Sequence, residues 1–162
     1  MTIGRRKVLV SGSLLSLAAA LGLGRMPMAA EGDFPFVLSD EEWQKRLSPA
    51  AYQVLRHEDT EYAYSSPLND EKRDGIFHCA GCDQPLFESA KKYDSGTGWP
   101  SFWDFIPGAI GQKEDNSLWM TRIEVHCANC GGHQGHVFED GPPPTGLRYC
   151  INGLSLRFAP AA

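Results

Sequence analysis

The run Leu118-Trp119-Met120-Thr121-Arg122-Ile123-Glu124-Val125 leads straight into His126-Cys127-Ala128-Asn129-Cys130. Successive side chains of a strand point to opposite faces, so its alternation predicts a strand over 118–125. That strand ends in a tight Cys-x-x-Cys turn. The same arrangement occurs upstream, where Gly75-Ile76-Phe77-His78 reads as a strand entering Cys79-Ala80-Gly81-Cys82. The 17 glycines and 11 prolines favour short strands and turns over a helical bundle. A chain of 162 residues is one domain's length.

Working outward, Ser39-Asp40-Glu41-Glu42 is a capping box that opens a short helix through Leu47. Ser48-Pro49 caps a second helix to about His57, with proline at its first position. Leu47, Ala51, Val54 and Leu55 give the pair an apolar side that should pack on a sheet. Thr60 to Asp74 is polar and loop-like. Leu86 and Phe87 form a second short strand, with Pro85 tolerated at its start. Tyr93 to Phe102 holds too many turn formers for regular structure. Gly135–Glu139, Leu147–Asn152 and Leu154–Phe158 are further strands, with a rigid turn at Gly141-Pro142-Pro143-Pro144-Thr145-Gly146. The domain is mainly β, with short N-terminal helices.

Residues 1–30 stand apart from this domain, which occupies 31–162. Arg5-Arg6-Lys7 precedes an apolar run from Val8 to Leu23, and Ala29-Ala30 stands before Glu31. This is the layout of an export signal peptide, and the paired arginines resemble a twin-arginine signal. A Sec signal or an uncleaved anchor are the alternatives. On the twin-arginine reading the protein is exported, to a periplasm, without stable membrane insertion after cleavage. The segment holds four of the 15 basic residues and no acidic ones, so the rest carries 11 basic against 20 acidic side chains, a net of −9. A surface of that sign repels phosphates, which argues against nucleic-acid binding.

The pairs Cys79/Cys82 and Cys127/Cys130, with 44 residues between them, supply four thiolates of the kind that hold tetrahedral zinc. A set of four sulfurs leaves no position for water, so the metal is structural. Two short-range disulfides, or a redox-active pair, are the other readings of such cysteines in an exported chain. His78 and His126 each abut a cysteine but are read as ordinary strand residues.

That leaves a fifth cysteine, Cys150, in Arg148-Tyr149-Cys150-Ile151-Asn152. Strand alternation sets Arg148, Cys150 and Asn152 on one face and Tyr149 and Ile151 on the other. A guanidinium beside the thiol should stabilise the thiolate and lower its pKa. The plain alternative is an inert buried cysteine. In His133-Gln134-Gly135-His136-Val137-Phe138-Glu139-Asp140, the same spacing groups His136, Phe138 and Asp140. An imidazole paired with a carboxylate is a proton donor of raised pKa. Trp99, between Gly98 and Pro100, either packs in the core or lines a pocket for a methyl or cationic group.

Together, Lys92-Tyr-Asp-Ser-Gly-Thr-Gly-Trp-Pro-Ser-Phe102, Gly135-His-Val-Phe-Glu-Asp-Gly141 and Arg148-Tyr-Cys-Ile-Asn152 resemble the B-type methionine-R-sulfoxide reductases. The cysteine pairs are similar to those of the zinc-containing members, and the resemblance spans about Leu38 to Phe158. It implies two antiparallel sheets with a structural four-cysteine zinc site. The implied activity is reduction of R-methionine sulfoxide in oxidised proteins. It also implies that Cys150 attacks the sulfoxide sulfur and is left as a sulfenic acid. His136 would protonate the oxygen, supported by His133, Asp140 and Asn152, while Arg148 steadies the thiolate and Trp99 and Phe102 hold the substrate. Many members carry a resolving cysteine just before the residue equivalent to Gly98; here that residue is Thr97. A thioredoxin-like protein or other external thiol is therefore the expected reductant of a monomeric enzyme. Two other classes fit parts of the chain: a zinc-stabilised peptide-binding module without catalysis, and a peroxide-reducing thiol enzyme.

Overall fold

Residues 33–117 and 120–162 are described by a computed structural model. The segment read as an export signal, 1–30, lies outside these residues, as do Leu118 and Trp119. Helix α1 spans Asp40–Arg46; the Ser39 hydroxyl accepts from the Glu42 N–H and the Glu42 carboxylate accepts from the Ser39 N–H, the two hydrogen bonds of the capping box. Helix α2 spans Pro49–His57, capped by the Ser48 hydroxyl and ended at Glu58 by a left-handed turn. Leu47, Ala51, Val54 and Leu55 are buried as expected, joined by Trp43 and Tyr52.

Among the described residues nine strands follow: β1 Gly75–Cys79, β2 Pro85–Glu88, β3 Lys92–Tyr93, β4 Ser101–Phe102, β5 Ile110–Asp115, β6 Arg122–Cys127, β7 His133–Phe138, β8 Arg148–Ile151 and β9 Leu156–Pro160. They form two sheets, ordered β2-β1-β9 and β3-β4-β8-β7-β6-β5. Every pairing is antiparallel. The expected architecture is the observed one, with some corrections. Met120 and Thr121 precede the strand read at 118–125, which starts at Arg122 and runs on to Cys127. The turn-rich run 93–102 contributes β3 and β4 at its two ends, where pairing to β8 recruits it into the sheet. Strand β5 carried no alternating apolar signal, because four of its six residues are polar or charged and it lies at the sheet edge.

Phe77, Leu86 and Phe87 from the small sheet meet Phe102, Tyr149 and Ile151 from the large one. Phe87 and Phe102 stack with ring centroids 4.4 Å apart, and Phe77 meets Phe102 edge-on at 5.0 Å. Each such ring contributes roughly 1.5–3 kcal/mol by leaving water. Alternation along β8 sends Tyr149 and Ile151 into this core and leaves Cys150 on the opposite face.

Candidate active site and metal centre

Strand β8 lies inside the large sheet, between β4 and β7. Cys150 therefore stands opposite Ser101 on one side and His136 on the other. Its sulfur opens on a cavity of about 130 Å³, lined by Trp99, His136, Phe138, Asn152, Arg122 and Thr60. At roughly 30 Å³ per water molecule, this space takes a group the size of a methyl sulfoxide head.

His133 and His136 are three residues apart, which in a regular strand would put them on opposite faces. A bulge brings them together. Val125 pairs with Gly135 and His126 with His133, so Gln134 is the extra residue of β7. The two imidazoles then meet at 5.4 Å. Glycine is required at 135 because a Cβ there would lie 2.0 Å from the Cys150 carbonyl oxygen.

The carboxylate partners differ from those the sequence suggested. Asp140 does not reach His136, because β7 ends at Phe138 and the chain turns away. Asp140 instead takes a two-pronged pair from Arg148, at 2.8 and 2.9 Å, and this pairing lowers its pKa. The Arg148 guanidinium also lies over the Phe138 ring, 4.4 Å from its centre. His136 is held by Asp115 of β5, with Nε2 2.8 Å from Oδ2. Arg122 donates to the same oxygen. Burial raises the Asp115 pKa, but hydrogen bonds from Ser117, His136 and Arg122 outweigh it and hold the carboxyl well below its usual range. His133 Nδ1 is 2.7 Å from Glu124, a buried carboxylate that also faces Lys113 at 3.3 Å and His126 at 3.6 Å.

Two pKa expectations reverse. Burial pushes the Cys150 thiol up, against the lowering effects of Thr97 and Arg148. Burial also pushes His136 down, against the raising effect of Asp115. Desolvation wins at both groups because each loses water and gains only one close partner of helpful charge. Both are driven toward their neutral forms.

Trp99 lines the cavity and donates from Nε1 to the Glu61 carbonyl at 3.1 Å. Phe102 does not line it. One residue past Ser101 on β4, it points the other way and is fully buried in the core. Asn152 is buried beside Cys150, taking the Glu61 N–H at 3.1 Å and donating to the Gln134 carbonyl at 3.2 Å. Glu61 was missed by sequence reasoning. Its carboxylate accepts the Gly153 and Leu154 N–H groups at 2.6 and 3.0 Å, so one polar loop residue ties Trp99, Asn152 and the turn after it together.

The other four cysteines form a separate centre. Cys79 and Cys130 sulfurs are 3.7 Å apart, Cys82 and Cys127 are 3.6 Å apart, and all four lie within 4.8 Å. These gaps exclude disulfides, whose S–S bonds are about 2.05 Å. They match the roughly 3.8 Å edge of a tetrahedron with metal–sulfur bonds of about 2.3 Å. The cluster is positioned to hold a metal ion. Both helices support it: Arg46 donates to the Gly81 carbonyl, and Arg56 donates to that of Cys130 at 3.0 Å. Cys79 ends a strand of the small sheet and Cys127 one of the large sheet, so the centre ties the two together. Cys150 lies level with His136 and Glu124 across the ladders, three residues before Cys127, which puts the centre roughly 10 Å along the sheet from the thiol.

The SelR domain family matches residues 47–160, a span containing the cavity residues and all five cysteines. The chain belongs to this family. A protein of Agrobacterium fabrum named peptide methionine sulfoxide reductase MsrB is 50% identical over 123 residues, 75% of this chain and 91% of that relative. One of the same name from Methanosarcina barkeri is 55% identical over 121 residues, covering 74% and 85% of the two chains. Another from Thioalkalivibrio sulfidiphilus is 52% identical over 135 residues, covering 83% and 98%. In this SelR protein the cavity, its thiol and its paired histidines thus lie in a chain that covers 85–98% of the length of those relatives.

Proposed function

We propose that this protein is a peptide-methionine (R)-S-oxide reductase with Cys150 as its nucleophile. The observation that carries the reading is the placement of Cys150 across the ladder from His136, on a small cavity bordered by Trp99, in a SelR-family chain. The Cys150 sulfur attacks the sulfoxide sulfur while the oxygen takes a proton. Methionine leaves, and the oxygen remains on Cys150 as a sulfenic acid. One sulfur is reduced by two electrons and the other is oxidised by two. The one proton required is carried by the pair of neutral groups, the Cys150 thiol and the His136 imidazole. Asp115 occupies Nε2, which leaves Nδ1 as the nitrogen that delivers the proton to the oxygen. Arg148 and Asn152 order the thiol's surroundings, His133 supports His136, and Trp99 receives the substrate methyl.

The cysteine cluster holds zinc in a structural role, supported by its four-sulfur donor set and spacing. The substrates are oxidised proteins. Reduction of the sulfenic acid falls to a thioredoxin-like protein or another external thiol, because the other cysteines, Cys79, Cys82, Cys127 and Cys130, form the metal cluster. Two such thiols form a disulfide and release water. The leader-like segment 1–30 supports export to a periplasm of a mature monomer. An epimer-resolved assay of the mature protein tests the core of the proposal. Turnover of the R form alone, abolished by Cys150→Ser, is expected, and turnover that survives this substitution would overturn it. Trapping an intramolecular disulfide to Cys150 after one turnover would contradict the external reductant.

A further inference from the structure

The side of Cys150 away from His136 carries a continuous line of hydroxyls. Thr97 Oγ1 is 3.9 Å from the Cys150 sulfur. Ser95 Oγ is 2.8 Å from Thr97 Oγ1 and 2.7 Å from Ser101 Oγ. Ser101, fully buried and directly opposite Cys150 on β4, lies 3.1 Å from the Trp99 carbonyl oxygen. Each hydroxyl has one proton to give and two lone pairs to receive with, so the possible directions of the line can be counted.

With Cys150 as a thiol, S–H gives to Thr97, Thr97 to Ser95, Ser95 to Ser101, and Ser101 to the Trp99 carbonyl. Every donor is used. With Cys150 as a thiolate, the sulfur can only accept. Ser101 then gives to Ser95, Ser95 to Thr97, and Thr97 to the sulfur. Again every donor is used, and Ser95 also keeps the Thr97 N–H, 3.4 Å away, in both directions. No heavy atom moves between the two states.

We propose that Thr97, Ser95 and Ser101 form a reversible hydroxyl relay that turns its donors toward Cys150 when the sulfur becomes anionic. Thr97 touches the reacting sulfur, while Ser95 and Ser101 are positioning residues that act through it. The relay serves the thiolate and equally the anionic sulfenate, whose charge sits one atom further out. It offsets part of the burial that makes Cys150 hard to ionise. The charged and titratable groups around Cys150 are Arg148 on its own strand, Asp140 beside Arg148, His136 from β7, Arg122 from β6 with its partner Asp115 from β5, and Tyr93 from β3. Arg148 and Arg122 supply positive charge there but no hydroxyl that can reverse.

This inference rests on Cys150 being the reactive thiol, but it is tested without sulfoxide turnover. The rate of Cys150 alkylation by iodoacetamide is measured against pH on the metal-loaded protein, with the modified peptide identified by mass. Thiolate reacts and thiol does not, so the midpoint of the profile reports ionisation. Thr97→Val should raise that midpoint by about one pH unit, the value of one hydrogen bond to a charged group. Ser95→Ala should raise it by about half as much although Ser95 does not touch the sulfur, and Thr97→Ser should restore the parent profile. A midpoint unmoved by Thr97→Val overturns the proposal. So does a midpoint moved by Thr97→Val but not by Ser95→Ala, since Thr97 would then act alone. Circular dichroism confirms that each variant is folded, and Ser95→Ala keeps the test decisive should Thr97→Val unfold, since a midpoint it leaves unmoved overturns the proposal by itself.

Discussion

Cys150 and His136 are both pushed toward neutrality, and that sets how activity should vary with pH. The working pair holds one transferable proton. It gains a second as pH falls through the His136 pKa, which lies below the ordinary 6.5, and loses its only one as pH rises through the Cys150 pKa, which lies above the ordinary 9.0. The profile of kcat/KM for the R-sulfoxide should therefore be a broad plateau with its acid limb below 6.5 and its alkaline limb above 9.0. A limb inside that interval would contradict the arrangement. His136→Ala should lower kcat/KM by about 10²–10⁴-fold, the usual worth of a positioned proton donor. Asp115→Asn should cost less, roughly tenfold for one charge-assisted hydrogen bond. Because Asp115 is what raises the His136 pKa, the same substitution should move the acid limb to still lower pH.

Among the elements, the bulge in β7 does most to assemble the site, and it was hidden from the sequence. Helix caps, cysteine spacing and the alternation of β6 and β8 are local signals, so α1, α2, the metal cluster and the strand of Cys150 were legible. Asp115 and Glu124 were not, because each meets its histidine across a ladder and no short-range pattern records that. The polar face of β6 illustrates the point: alternation marked Glu124 as polar, and the sheet then buried it beneath His133. Asp140, by contrast, lay at the right spacing beyond the end of its strand. Gly135→Ala should destabilise the fold by about 3 kcal/mol, because its Cβ would collide with the backbone of β8; urea unfolding measures this. Glu124 should matter to stability at low pH. Burial raises its pKa, but the hydrogen bonds and charges of His126, His133 and Lys113 outweigh that and hold it below the ordinary 4.5. Its contribution is then full above 4.5 and is lost as pH falls through the depressed folded value. A Glu124→Gln variant should accordingly show a flatter loss of stability below pH 4.5 than the parent.

At the scale of the whole molecule, two layers meet over an aromatic core and are tied by four cysteines. Structural zinc sites contribute on the order of 10 kcal/mol, comparable to the entire stability of a domain. Chelation under reducing conditions should therefore abolish the cooperative thermal transition, whereas Cys150→Ser should retain one metal ion per chain. Retention of the transition after complete metal removal would assign the cysteines a lesser part. The small sheet has a separate consequence, for the order in which the molecule can form. Its middle strand, β1, pairs on one side with β2, a few residues downstream, and on the other with β9, where Gly75 meets Pro160. The first partner is available almost at once during synthesis, and the second only after some eighty further residues have been made. Until then β1 keeps an open edge, able to capture another extended chain. A ribosome must deliver nearly all of this sequence before that sheet can close, so its slowest step is expected to be the long-range pairing of its earliest strand with its last.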